Sequence, residues 1–212
     1  LGRYDEALVT FDLALSLKRK SVEAHNNRGA VLERLGRDAE ALESFERALA
    51  IKSNHVDALY NRASVLRKLG RHADALKSFD RVLVLKPDHV NACNNRGLTL
   101  DGLNRPEEGL ASYDRALALA PQNIEALNNR GNVLQKLNRH QDAVACYDFA
   151  LTINPAHAEV LNNRGRSLSI LGRQEAALES TSRAVAVNPN YIAAQWHDYL
   201  LRLRLSAFSR GW

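Results

Sequence analysis

No stretch of this sequence approaches the roughly 20 apolar residues that a membrane-spanning helix needs, and no basic segment followed by an apolar core opens the chain as a secretion signal would. A soluble protein without a membrane partner is expected. Aromatic residues are scarce at 6% and cysteines number two. A disulfide framework and a cysteine-built metal site are therefore unexpected, and a reducing cytoplasm fits. What is present is ordinary for a folded chain, with 45% hydrophobic and 25% charged residues, which argues against disorder. A net charge of +5 would admit an acidic partner or nucleic acid, so the positions of the basic residues must decide.

Those positions follow a period. Asn-Asn-Arg-Gly begins at Asn26, Asn94, Asn128 and Asn162, and the last two intervals are both 34 residues. The first is twice as long and holds Tyr60-Asn61-Arg62-Ala63 at its midpoint, a degenerate copy. Placing Gly29, Ala63, Gly97, Gly131 and Gly165 at position 8 gives units 22–55, 56–89, 90–123, 124–157 and 158–191 without a gap. Residues 1–20 read as the second helix of a truncated repeat, 192–205 as a capping helix with Tyr199 in the small-residue slot, and 206–212 as a tail. The whole chain, 1–212, is expected to be a single array in which each unit packs on its neighbours.

Small residues recur at position 20 (Ala41, Ala75, Gly109, Ala143, Ala177), and position 24 holds Phe45, Phe79, Tyr113, Tyr147 and Thr181. Small residues let two helices approach, and the aromatic fills the space between them. Gly36, Gly70, Asn104, Asn138 and Gly172 share position 15, where types that tolerate left-handed backbone close a helix. A second helix runs from about position 17 to 30, ahead of Pro87, Pro121, Pro155 and Pro189 at position 32. Two helices of about 13 residues per unit make an all-α solenoid of antiparallel helix pairs.

This pattern resembles the tetratricopeptide repeat family, in a bacterial-type array with Asn-Asn-Arg-Gly motifs, and the resemblance covers nearly the whole chain. It implies a right-handed superhelical solenoid. The departures are systematic: the family's usual Trp at position 4 is replaced by His25, Leu59, Cys93, Leu127 and Leu161, its Leu at 7 by arginine and its Tyr at 11 by leucine.

Position 6 is Asn27, Asn61, Asn95, Asn129 and Asn163, preceded at position 5 by Asn26, Tyr60, Asn94, Asn128 and Asn162. In the family such positions face the inner, concave surface, which makes these ten residues the candidate peptide-binding site. A carboxamide both donates and accepts, so it can hold a peptide bond without reading the side chain. Repeats offset by roughly 10 Å against a strand rising about 3.3 Å per residue would set one asparagine at every third residue of an extended ligand. The ladder is similar to that of O-linked N-acetylglucosamine transferases. The other reading is that position 6 only bridges neighbouring helices.

The arginines at position 7 lie on a mainly apolar stripe and need partners. Asp12, Glu46, Asp80, Asp114 and Asp148, at position 25 of each preceding unit, are expected to supply them. Ser182 is the position 25 without an acid, and the residue it would face is Asp198, the position 7 without an arginine. His55, His89 and His157 share position 34 in the inter-unit turn, too far apart at one per repeat to share a metal ion. No phosphate loop, nucleophile elbow or His/Cys cluster appears, so no enzyme activity, cofactor or metal is expected.

The expected function is a protein-protein interaction scaffold that binds an extended peptide or partner segment. The alternative is the substrate-recognition arm of a larger enzyme, such as an O-linked N-acetylglucosamine transferase-like glycosyltransferase. Nucleic acid is not expected, because the groove offers little aromatic stacking beyond Tyr60. End-to-end self-association is expected through the first helix, whose Ala7, Leu8, Phe11 and Leu15 would be partly uncovered.

Overall fold

The computed structural model describes residues 2–208. These form twelve α-helices: α1 Gly2–Leu17, α2 Val22–Arg34, α3 Asp38–Ile51, α4 Val56–Lys68, α5 His72–Leu85, α6 Val90–Gly102, α7 Pro106–Leu119, α8 Ile124–Lys136, α9 His140–Ile153, α10 Ala158–Ile170, α11 Gln174–Val187 and α12 Ile192–Phe208. Of the expected tail, residues 206–208 continue α12, and 209–212 lie outside the described residues, as does Leu1. The chain divides into two compact units, Leu1–Ser112 and Tyr113–Trp212. Inside each, even-numbered first helices pack against odd-numbered second helices, and each second helix packs against the next first helix. No helix among the described residues is long and apolar enough to cross a membrane.

The helix ends follow from local chemistry. Gly36, Gly70 and Gly172 have φ of 74°, 74° and 77°, and Asn104 and Asn138 have 56° and 58°, so each first helix closes through a left-handed residue. The next N–H then reaches back to the last turn, as when Arg71 donates to the Leu66 carbonyl at 2.8 Å. At the N-termini of α2, α4, α6, α8 and α10, position 34 of the preceding unit supplies the cap: Ser21, His55, His89, Asn123 and His157 each accept a backbone N–H. The turn histidines are thus capping residues, acting through unprotonated Nδ1 in a slot that serine and asparagine also fill.

This has a pH consequence. Burial, and then the Lys86 charge, lower the pKa of His89. The unfolded chain therefore takes up this proton at a higher pH than the native one, near the ordinary value of about 6.5. The contribution of His89 is complete above that pH and is lost as pH falls through the lower folded pKa. His89→Asn, which keeps the cap in the form seen at Asn123, should flatten the acid limb of stability measured by urea titration between about pH 7 and 5. An unchanged acid limb would contradict the capping account.

The core of the stack is the aromatic of position 24. Phe45, Phe79, Tyr113 and Tyr147 are fully buried, with the leucines of position 11 beside them. A Cβ on Gly29 would lie 2.6 Å from the Phe45 ring, and one on Gly131 2.5 Å from the Tyr147 ring. Glycine at position 8 is what lets the rings sit so close. Ala63 is fully buried in the same slot, so one methyl is accommodated there.

The position 7 arginines fasten repeat to repeat. Nε of Arg28, Arg96, Arg130 and Arg164 donates to Asp12, Asp80, Asp114 and Asp148 of the preceding unit at 2.5 to 2.7 Å, and the longer Glu46 stands 3.8 Å from Arg62. Ser182 donates to Asp198 at 2.5 Å, the one rung without an arginine at position 7. The other end of each guanidinium donates to position 23 of its own unit: Ser44, Ser78, Ser112, the Cys146 sulfur and Ser180. Arg130 is 27% exposed but Asp114 is 58% exposed, so water screens the pair. Arg130→Ala should therefore cost about 1–2 kcal/mol, and a cycle with Asp114→Ala should show coupling of about 0.5–1 kcal/mol. Zero coupling in thermal or urea unfolding would remove the fastening role.

On α1, Leu8 is buried, and Ala7, Phe11 and Leu15 are half-buried. Three of the four are thus partly uncovered, and Tyr4, Val9, Leu13 and Leu17 are exposed as well. α1 packs on α2, and Val9, Leu13 and Leu17 lie on the other side of the helix from Ala7, Phe11 and Leu15, whereas the exposed Tyr4 shares their face.

Candidate functional site

The asparagine ladder sits on the first helices, and within each unit its rungs are joined. Asn61 on α4 donates through Nδ2 to Asn26 Oδ1 on α2 at 3.1 Å, and Asn95 on α6 donates to the Tyr60 hydroxyl at 2.9 Å. In the second unit Asn163 on α10 donates to Asn128 Oδ1 on α8 at 3.1 Å. Position 6 of one repeat thus holds position 5 of the repeat before it. The pattern continues into α12, where His197 Nδ1 donates to Asn162 Oδ1 at 2.7 Å. Asn94 is buried on α6 and Asn129 half-buried on α8, in different units.

The rungs differ in what they leave over. A carboxamide has two N–H donors and an accepting oxygen. Asn61 and Asn95, both half-buried, spend one N–H each on the bridge and keep the second together with Oδ1. Asn27 is exposed, and its Oδ1 receives only a 3.5 Å bond from Asn26. Asn163 is buried and uses Nδ2 twice, toward Asn128 and toward Asn132 Oδ1 at 3.0 Å. Bridging and ligand contact are therefore compatible at Asn61 and Asn95, Asn27 bonds only within its own helix, and Asn163 serves mainly the packing.

Other residues join this face that the slot pattern does not reveal. Asn132 also accepts from the Tyr147 hydroxyl at 2.8 Å, tying the ladder to the core. Gln135 donates to the Asn163 carbonyl at 2.6 Å and to Ser167 Oγ at 2.7 Å. Tyr60 stacks on His89 with ring centroids 4.9 Å apart, which fixes the hydroxyl that Asn95 uses. Among the margin charges, Asn128 donates to Glu159 at 2.9 Å and Lys68 pairs with Asp38 at 2.8 Å.

Models of the tetratricopeptide repeat match residues 22–55, 50–90, 60–124, 124–157 and 158–191, and a TPR repeat model matches 1–36. No curated protein matches the chain significantly. Among solved structures it is similar to YrrB, described as a TPR protein with an unusual peptide-binding site, at 22% identity and a TM-score of 0.70, over 87% of this chain and 95% of that one. It is similar to pilF of Pseudomonas aeruginosa at 20% identity and a TM-score of 0.78, over 92% and 88% of the two chains. A thermophilic TPR protein of Thermus thermophilus gives 23% identity and a TM-score of 0.67, over 86% and 100%.

Proposed function

This chain belongs to the tetratricopeptide repeat family, whose repeats serve as protein-interaction scaffolds, and from that premise we propose that its first helices hold an extended peptide or partner segment by the main chain. The observation that carries the reading is the hydrogen-bonding capacity left at Asn27, Asn61 and Asn95 after the ladder has bridged its own helices. The peptide-binding site named for YrrB supports it from a protein of similar fold. A reducing compartment, the cytoplasm, suits two buried free cysteines.

The test uses a peptide selected on the protein from a random library. Methylating its backbone nitrogens one at a time removes one donor per position. The ladder predicts that the sensitive positions recur about every third residue. Sensitivity confined to side chains, with no main-chain nitrogen mattering, would refute the proposal. Self-association belongs to the same proposal, now through Val9, Leu13 and Leu17. Sedimentation that stays monomeric across a concentration series would remove it.

A further inference from the structure

The outer side of the second helices is mainly charged in the complete repeats. Position 26 is Arg47, Arg81, Arg115 and Arg183, with Phe149 the exception, and position 22 is Glu43, Lys77 and Glu179 or else alanine; all are exposed. On α1 the same two slots hold Val9 and Leu13, 69% and 62% exposed, and the next turn adds Leu17 at 83%. Their four-residue spacing makes one continuous apolar ridge. First helices pack on the other side of a second helix, at positions 20 and 24, as Gly29 does on Phe45 and Gly165 on Ala177 and Thr181. Exposure of the ridge is therefore independent of what covers Ala7 and Phe11.

The charges of α1 are ordered along its length. Asp5 and Glu6 outnumber Arg3 at its start, and Lys18, Arg19 and Lys20 follow its end. Leu13 is the midpoint of both patterns: Val9 and Leu17 are equidistant from it in sequence, and so are Glu6 and Lys20. An antiparallel second copy centred there sets Leu13 on Leu13, Val9 on Leu17 and Glu6 on Lys20, each unlike contact occurring twice. It also opposes the two helix dipoles. A parallel copy would set like charges together at both ends.

We propose that α1 joins two copies of this chain in a closed dimer, with the Leu13 side chains meeting on the two-fold axis. The inference rests on the proposed self-association through Val9, Leu13 and Leu17, and adds to it the occupant, the symmetry and the register. A contact that uses the same patch on both copies stops at two, whereas an end-to-end contact would go on adding copies. A lipid surface is a poorer match, because Asp5 and Glu6 flank the ridge and would face anionic headgroups. Three aliphatic side chains per copy make a small interface, so the dissociation constant is expected on the order of 100 µM. The ridge is on a second helix and the asparagines are on first helices, so such a dimer offers two peptide-holding faces.

The experiment is sedimentation equilibrium of the full chain at low salt, from about 10 µM to about 1 mM. The mass should rise to twice that of one chain and no further. Leu13→Arg, which installs the residue that four complete repeats carry in that slot, should weaken the dimer about tenfold or more with the unfolding temperature unchanged. Glu6→Lys and Lys20→Glu should each weaken it about fivefold. An equimolar mixture of those two variants should associate as the unsubstituted chain does, because each copy then supplies the charge that the other lacks. Growth beyond two copies, or a dimer that Leu13→Arg leaves intact, overturns the inference. A Leu13-dependent dimer that mixing does not rescue overturns the antiparallel register while keeping the self-association. A monomer at every concentration rejects both, and leaves the peptide-binding reading to its own test.

Discussion

Tyr147→Ala is expected to destabilise the protein by about 3–5 kcal/mol, the range for deleting a buried aromatic side chain. Tyr147 is fully buried, its ring lies where a Cβ on Gly131 would stand 2.5 Å away, and its hydroxyl donates to Asn132 at 2.8 Å. The lost ring leaves a void between α8 and α9 that glycine at position 131 cannot fill. Total stabilities of about 5–15 kcal/mol make this a large fraction, and in stacked repeats the damage spreads through the neighbouring interface. Tyr147→Phe keeps the ring and loses only the hydroxyl bond, so about 1 kcal/mol is expected. Urea unfolding followed by circular dichroism measures both. A Tyr147→Ala cost below about 1 kcal/mol would mean that the position 24 slot is not the core.

The second large effect concerns binding. Replacing Asn27, Asn61 and Asn95 together with alanine should weaken a library-selected peptide about a hundredfold, if each lost bond costs about 1 kcal/mol and the losses add. Asn163→Ala should behave in the opposite way. Its amide is buried, holds Asn128 and Asn132, and is expected to cost stability while leaving affinity near the wild-type value. Calorimetry and thermal unfolding on the same preparations separate the two outcomes. Loss of stability without loss of affinity in the triple variant would assign the whole ladder to packing.

The slot pattern carried much of this architecture because each slot has one physical job. Left-handed closure needs glycine or asparagine, close approach needs glycine or alanine, and a shielded arginine needs an acid, so the pairings of Arg164 with Asp148 and of Ser182 with Asp198 were legible from the spacing. A hydroxyl or thiol also recurs at position 23 of each repeat, a signal from which the second guanidinium bond could have been read but was not. Residues present in one copy could not be found that way. Asn132 and Gln135 break the repeat, and only the folded geometry shows what each touches. The ladder was ambiguous for a different reason. An asparagine that bridges helices and one that meets a ligand have the same sequence, and they differ only in how many of their donors the fold consumes.

The most direct measurement is therefore made on the carboxamides themselves. The side-chain NH₂ signals of Asn61 and Asn95, assigned by single substitutions, are followed while a library-selected peptide is added to ¹⁵N-labelled protein. Shifts that saturate with the peptide's affinity at both residues, with the Asn163 NH₂ pair little changed, are the predicted result. Saturated binding that leaves the Asn61 and Asn95 amide signals where they began would contradict it.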